Sequence, residues 1–187
     1  MNKTSQRSRI ANALSMMSPE AKSQASDKVC ERLMTISTVA FADSIFAYLP
    51  LNDEVNLKPL LSTWIDASRV ISVPLVSWEN KTMQAGLLSS LDSAMLRETR
   101  HGILEPVQKH PIPIDCIDVI LVPGVGFDAS GGRLGRGGGF YDQYLSTSRP
   151  PIVIGVAFDE QILDRVPLEP HDQIMTVVVT PTRILLN

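Results

Sequence analysis

Ile117-Asp118-Val119-Ile120-Leu121-Val122-Pro123-Gly124, followed by Gly131-Gly132-Arg133-Leu134-Gly135-Arg136-Gly137-Gly138-Gly139-Phe140-Tyr141-Asp142, is the stretch from which the fold is read. Apart from Asp118, the run over 117–122 is apolar on both alternating faces, as in a strand covered on both sides, and Pro123-Gly124 stops it. Phe140 to Leu145 then reads as a helix, so the glycines lie between a buried strand and a helix start. Six of the nine residues from Gly131 to Gly139 are glycine, against 11 in the whole chain.

Outward from that unit the pattern repeats. Ser44 to Leu49, Arg69 to Val73, Thr82 to Leu88, Ile152 to Ala157 and Thr176 to Thr180 read as strands. Thr4 to Met17 has helical tendency. Ser18 can cap a second helix and Pro19 suits its first position, with Ala25, Val29, Leu33 and Ile36 at helical spacing to about Ser37. Val55 to Ala67 also reads as helix and Ser89 to Arg97 as a short one, whereas His101 to Pro113, with three prolines, reads as loop. No linker, repeat or low-complexity tract interrupts the chain. The expectation is one α/β domain over residues 1–187, a three-layer α/β/α sandwich with a mostly parallel, Rossmann-like sheet.

Composition narrows the function classes. The chain has 187 residues, 44% of them hydrophobic, and a net charge of −3. No basic run interrupts it, which argues against nucleic acid or a membrane surface as partner. Cys30 and Cys116 are far apart, so neither a disulfide framework nor a zinc site is expected. Met1 to Arg9 is polar and unlike a signal peptide, and no segment approaches the roughly 20 apolar residues of a membrane span. The expected address is the cytoplasm.

The glycine-rich segment has two readings. As an anion site, its backbone N–H groups approach phosphate oxygens closely, the following helix start adds positive potential, and Arg133 and Arg136 supply planar forks. As a plain loop, it is flexible with two solvated arginines. Its place beyond the carboxyl end of a buried strand favours the first. Neither a Gly-x-x-x-x-Gly-Lys-Ser/Thr loop nor a Gly-x-Gly-x-x-Gly helix start is present, so general chemistry stops at a phosphate site of unassigned class.

Val122-Pro123-Gly124-Val125-Gly126-Phe127-Asp128 with Gly132 to Asp142 resembles the signature of the 5-formyltetrahydrofolate cyclo-ligases, also called methenyltetrahydrofolate synthetases. Lys3 and Arg7 resemble the family's N-terminal basic pair, and Tyr48-Leu49-Pro50 with Asp53-Glu54-Val55 its substrate-side strand and turn. Gly102-Ile103-Leu104-Glu105-Pro106, Gln161, Pro167, His171-Asp172 and Thr180 extend the likeness over nearly the whole chain.

The resemblance implies a three-layer fold related to that of sugar-phosphate isomerases and CoA transferases. It also implies ATP-dependent, Mg²⁺-dependent cyclisation of 5-formyltetrahydrofolate to 5,10-methenyltetrahydrofolate. Carried over by position, Lys3, Arg7 and the run Arg133, Leu134, Gly135, Arg136, Gly137, Gly138, Gly139, Phe140 and Tyr141 would bind ATP. Leu49 and Glu54, with Arg136 to Phe140, would meet the folate, and Asp142 and Asp172 would hold Mg²⁺. Arg136 is our candidate catalytic residue, placed to stabilise charge on the transferring phosphoryl group. A small-molecule substrate and a monomeric state complete the expectation.

Each residue also has a plainer reading. Lys3 and Arg7 read as solvent-facing helix charges, Glu54 and Asp142 as acids of a first turn, Asp172 as a turn cap and His171 as a surface residue. Tyr141 and Tyr144 read as packing aromatics. Trp64 and Met83 read as core, with Met83 near the folate. Three positions depart from the family pattern: Phe140 stands where a tyrosine is common, Thr176 where an aspartate is, and Pro181 where an acid is. The alternatives in function are a non-catalytic folate-binding module, or an isomerase- or transferase-like enzyme on a related scaffold.

Overall fold

In the computed structural model, which describes residues 2–147 and 152–186, strand β7 (Val119–Pro123) lies inside an eight-stranded sheet. The sheet order is β13 (Ile184–Leu186), β12 (Val177–Val179), β10 (Ile152–Val156), β7, β1 (Ser44–Phe46), β2 (Val70–Ser77), β3 (Thr82–Leu87) and β6 (Pro111–Ile112). The five strands from β12 to β2 pair parallel, whereas β13, β3 and β6 add antiparallel edges. The mostly parallel sheet expected from the double-sided apolar runs is therefore present, with antiparallel hairpins closing both sides.

Residues along each central strand alternate between two cores, as strand geometry requires. Ile45, Val119, Leu121, Ile154, Val177 and Val179 enter one core with Ile10 and Leu14 of α1 (Lys3–Ser15) and Val29 and Leu33 of α2 (Pro19–Met34). The short α3 (Ser37–Ala40) adds Val39, and α4 (Lys58–Asp66) adds Leu60, Leu61 and Trp64. Phe46, Ile120, Val122, Val153 and Val178 enter the other core, where α5 (Phe140–Leu145) supplies Tyr144 and Leu145. Among the described residues the layers are thus unequal, with four helices on one face and one six-residue helix on the other.

Local signals explain the helix starts. Ser18 accepts from the Ala21 amide at 3.1 Å and Pro19 opens α2, as expected. Asn2 caps α1 through the Ser5 amide, and Pro59 sets the first turn of α4. The segment read as a helix over Ser89–Arg97 is instead a single 3₁₀ turn at Ser93–Met95 followed by β4 (Leu96–Glu98). The segment read as loop contains β5 (Leu104–Pro106), which pairs with β4, and β6 at the sheet edge. β8 (Gly126–Asp128) forms a second small sheet with β9 (Arg133–Leu134) and β11 (Ile162–Leu163).

Candidate active site

The strand order reverses between β1 and β7. From β1 the chain continues to β2 on one side, while β7, β10 and β12 build out the other. Such a switch point leaves a crevice beyond the carboxyl ends of the two strands. Here it is a cavity of about 630 Å³, bounded by Tyr48 and Leu49 after β1 and by Pro123 and Gly124 at the end of β7.

Every residue proposed for the site lines this cavity. Lys3 and Arg7 come from α1, Leu49 and Glu54 from the turn after β1, and Arg133 to Asp142 from β9, the glycine loop and α5. Asp172 arrives from the C-terminal segment with Glu169 and His171. Residues spread over nearly the whole chain are therefore brought to one place.

The cation-rich end is held by short polar contacts. Lys3 Nζ lies 2.8 Å from Asp172 Oδ2 and 2.9 Å from Glu169 Oε1, which raises its pKa above the ordinary lysine value. Burial works against the Asp172 anion, yet the Lys3 and Glu169 N–H donors outweigh it and hold its pKa below the usual range. Arg7 Nε donates to the Gly135 carbonyl at 2.9 Å, tying α1 to the glycine loop. Arg133 is buried and donates to Asp142 Oδ2 at 2.7 Å, with its guanidinium 5.5 Å from the Tyr141 ring centroid. The other oxygen of Asp142 accepts from the Gln173 amide at 3.2 Å, so the two candidate metal-holding segments touch.

Arg136 differs. Half-exposed among glycines, it reaches across the cavity to Asp53 Oδ1 at 2.6 Å and Glu54 Oε1 at 3.2 Å. Glu54 is buried. Desolvation raises its pKa despite the Leu51 amide and Arg136, which both favour the anion. Gly137 and Gly139 sit at φ of 103° and 69°, conformations that a residue with a Cβ resists. Gly137 and Gly138 make no hydrogen bond among the described residues.

The other end of the cavity is apolar. Leu51, Pro74, Val76, Met83 and Ile103 line it, and Trp78 stacks edge-on to Phe140 at 5.0 Å and tilted to His101 at 5.0 Å. Met83 is buried, as read, and lines this wall, and Trp64 is core. Sequence reading missed Trp78 and His101. Each is a lone aromatic in a turn or loop with no periodic partner, and only the fold of β2 against the β4–β5 hairpin brings them together. His171 is exposed as expected, yet it stands at the rim of the cavity.

As a metal site, Asp142 and Asp172 offer two hard carboxylates facing one cavity. No group of three or more His, Cys, Asp or Glu suited to a metal exists among the described residues. That donor set fits Mg²⁺, which takes one or two carboxylates and completes its shell with phosphate oxygens and water. Among the described residues, no helix is long and apolar enough to cross a membrane.

A switch-point cavity with a cation-rich loop at one end and an aromatic wall at the other defines an α/β protein with a two-part ligand site. Comparison with known proteins narrows this further. The model of the 5-formyltetrahydrofolate cyclo-ligase family matches residues 1–181. The 5-formyltetrahydrofolate cyclo-ligase of Mycolicibacterium smegmatis is 36% identical over 149 residues, covering 75% of this chain and 74% of that protein. The mouse enzyme of the same name is 27% identical over 176 residues, covering 89% of this chain and 87% of its own. The solved 5,10-methenyltetrahydrofolate synthetase of Aquifex aeolicus superposes with a TM-score of 0.85 at 28% identity, covering 100% of this chain and 93% of that one. The chain belongs to the 5-formyltetrahydrofolate cyclo-ligase family, ligases of folate one-carbon metabolism that form 5,10-methenyltetrahydrofolate in an ATP-dependent cyclisation.

Proposed function

We propose that the two ends of this cavity bind the two substrates, ATP on the arginine-rich side and 5-formyltetrahydrofolate against the aromatic wall. The observation that carries the reading is the convergence of Lys3, Arg7, Arg133, Arg136, Asp142 and Asp172 with Leu49 and Glu54 on one cavity.

In the reaction, the formyl oxygen on N5 bonds to the γ-phosphorus as the bond to the ADP oxygen breaks. N10 then attacks the activated carbon, its proton leaves, and the carbon–oxygen bond breaks to release phosphate. An amide-like oxygen is a poor leaving group, and the phosphoryl group makes it a good one. Catalysis of this kind is mostly positioning and charge neutralisation.

The residues divide that work. Lys3 and Arg7, with the backbone from Arg133 to Tyr141, bind the phosphates. Arg136 lies where the two substrates meet and moves from Asp53 and Glu54 onto the transferring phosphoryl oxygens. Glu54 hydrogen-bonds the pterin or the formyl-bearing end, with Leu49 and Phe140 packing beside it. Asp142 and Asp172 hold Mg²⁺, which neutralises phosphate charge when bound. A cytoplasmic address accords with the two free cysteines, and a monomer suffices because one chain supplies every proposed site residue.

The test is direct. Purified protein mixed with 5-formyltetrahydrofolate, ATP and Mg²⁺ is expected to produce the methenyl chromophore, with no product when ATP is omitted or a chelator is added. Folate binding without product would favour the sequestering module. Asp142→Ala is expected to abolish turnover in a protein that remains folded by circular dichroism, and retained turnover would refute the metal assignment.

A further inference from the structure

Asp128 closes β8 and is buried, at 3% exposure, yet no cation neutralises it among the described residues. Its two oxygens collect backbone N–H groups from separate parts of the chain. Oδ1 accepts from Ser130 and Gly132, each at 2.9 Å, and Oδ2 accepts from Val166 at 2.7 Å. Burying a carboxylate without a counter-ion is costly unless such donors converge on it.

The two segments it joins carry the charged end of the cavity. Gly132 immediately precedes Arg133, which grips Asp142. Val166 opens the segment that carries Glu169 and Asp172, both held by Lys3. The contact from the Gln173 amide to Asp142 joins the segments a second time. Asp128, Gly132–Arg133, Asp142 and the 166–173 segment thus form a closed circuit, with Asp128 as the joint farther from the cavity. The approach at Gly132 is close, because a Cβ there would fall 2.7 Å from Asp128 Oδ2.

We infer that Asp128 is a positioning residue for the nucleotide and metal end, fixing Arg133 and Asp142 relative to Asp172 without touching either ligand. The inference rests on the function proposed above for that end. It separates Asp128 from the part of the folate wall built on β2, β3 and the β4–β5 hairpin, where Pro74, Val76, Met83 and Ile103 line the cavity.

Asp128→Asn is the sharp test. An asparagine has one acceptor oxygen for three converging N–H groups, and its own NH₂ must then face a donor. Isothermal titration of ATP with Mg²⁺ into folate-free protein is expected to show an affinity loss of about tenfold or more, the scale seen when a ligand's supporting partner is removed. Titration of 5-formyltetrahydrofolate into the same preparations is expected to give the wild-type affinity. Gly132→Ala, whose new Cβ displaces the carboxylate end, is expected to show a smaller loss in the same direction and decides the matter if Asp128→Asn does not fold. Unchanged nucleotide affinity in a folded variant would overturn the inference, as would equal weakening of both ligands, the mark of a generally loosened fold. Wild-type protein that binds no ATP with Mg²⁺ would overturn the proposed function and the inference together.

Discussion

Arg133 and Arg136 belong to one glycine-rich segment and line one cavity, but their surroundings are opposite. Arg133 sits on β9 with its side chain 5% exposed, held by Asp142 and lying against Tyr141. Arg136 is 49% exposed, carried by glycines, and paired with Asp53 and Glu54 across the cavity. A buried charge is fixed because its partner cannot be exchanged without leaving another charge bare. An exposed one can change partners at little cost, because water and salt screen the pair. The first therefore builds the site, and the second is free to act in it.

The largest effect that would break this comparison is on stability. Arg133→Ala strands the part-buried Asp142 carboxylate and is expected to cost about 3–5 kcal/mol. In a chain of this size the Tm would fall by on the order of 10 °C, read by calorimetry. A variant melting with the wild type would show that Arg133 is not structural.

Arg136→Ala is the complement. It is expected to lower kcat about 10²–10³-fold, as losing a charge-stabilising donor does, while the Tm stays close to wild type. A large Tm loss with near-normal turnover would reverse the two roles.

Glu54 sharpens the point through pH. Burial raises its pKa above the ordinary 4.5, so the folded state favours the protonated carboxyl more than the unfolded chain does. Its contribution is therefore fully present below pH 4.5 and is lost as pH rises through the raised folded value. Glu54→Gln is expected to gain stability relative to wild type across that rise, measured as the difference in Tm at successive pH values. A constant difference would mean that Arg136 already cancels the burial of Glu54. Asp53→Asn should change least. It removes an exposed partner, so a stability change within about 0.5 kcal/mol is expected, read by chemical denaturation, and a larger loss would make that pair structural.

Where local chemistry decided the structure, the sequence was legible. The apolar run ending at Pro123-Gly124 is β7, and Phe140–Leu145 is α5. Ser18 caps α2 as read. Misreadings fell where distant pairing overrode local preference. Asp92 does cap a turn at Ala94, but Leu96 pairs with Pro106 and draws the rest of the supposed helix into a strand. Pro106 and Pro111 concealed β5 and β6, since proline at a strand end or sheet edge costs few ladder hydrogen bonds. In the site, the loop and its arginines were visible as a continuous motif, whereas Trp78 and His101 were not, and Asp128 stood in the signature without a role. An aspartate after a strand looks like any turn residue until Val166 is seen to donate to it.

Under the proposed function, this cavity brings the γ-phosphoryl group of ATP onto the formyl oxygen of the folate. Turnover of 5-formyltetrahydrofolate carrying ¹⁸O in the formyl group, followed by mass analysis of the released phosphate, tests it most directly. The label is expected in inorganic phosphate. Unlabelled phosphate, with the label released to water, would contradict it.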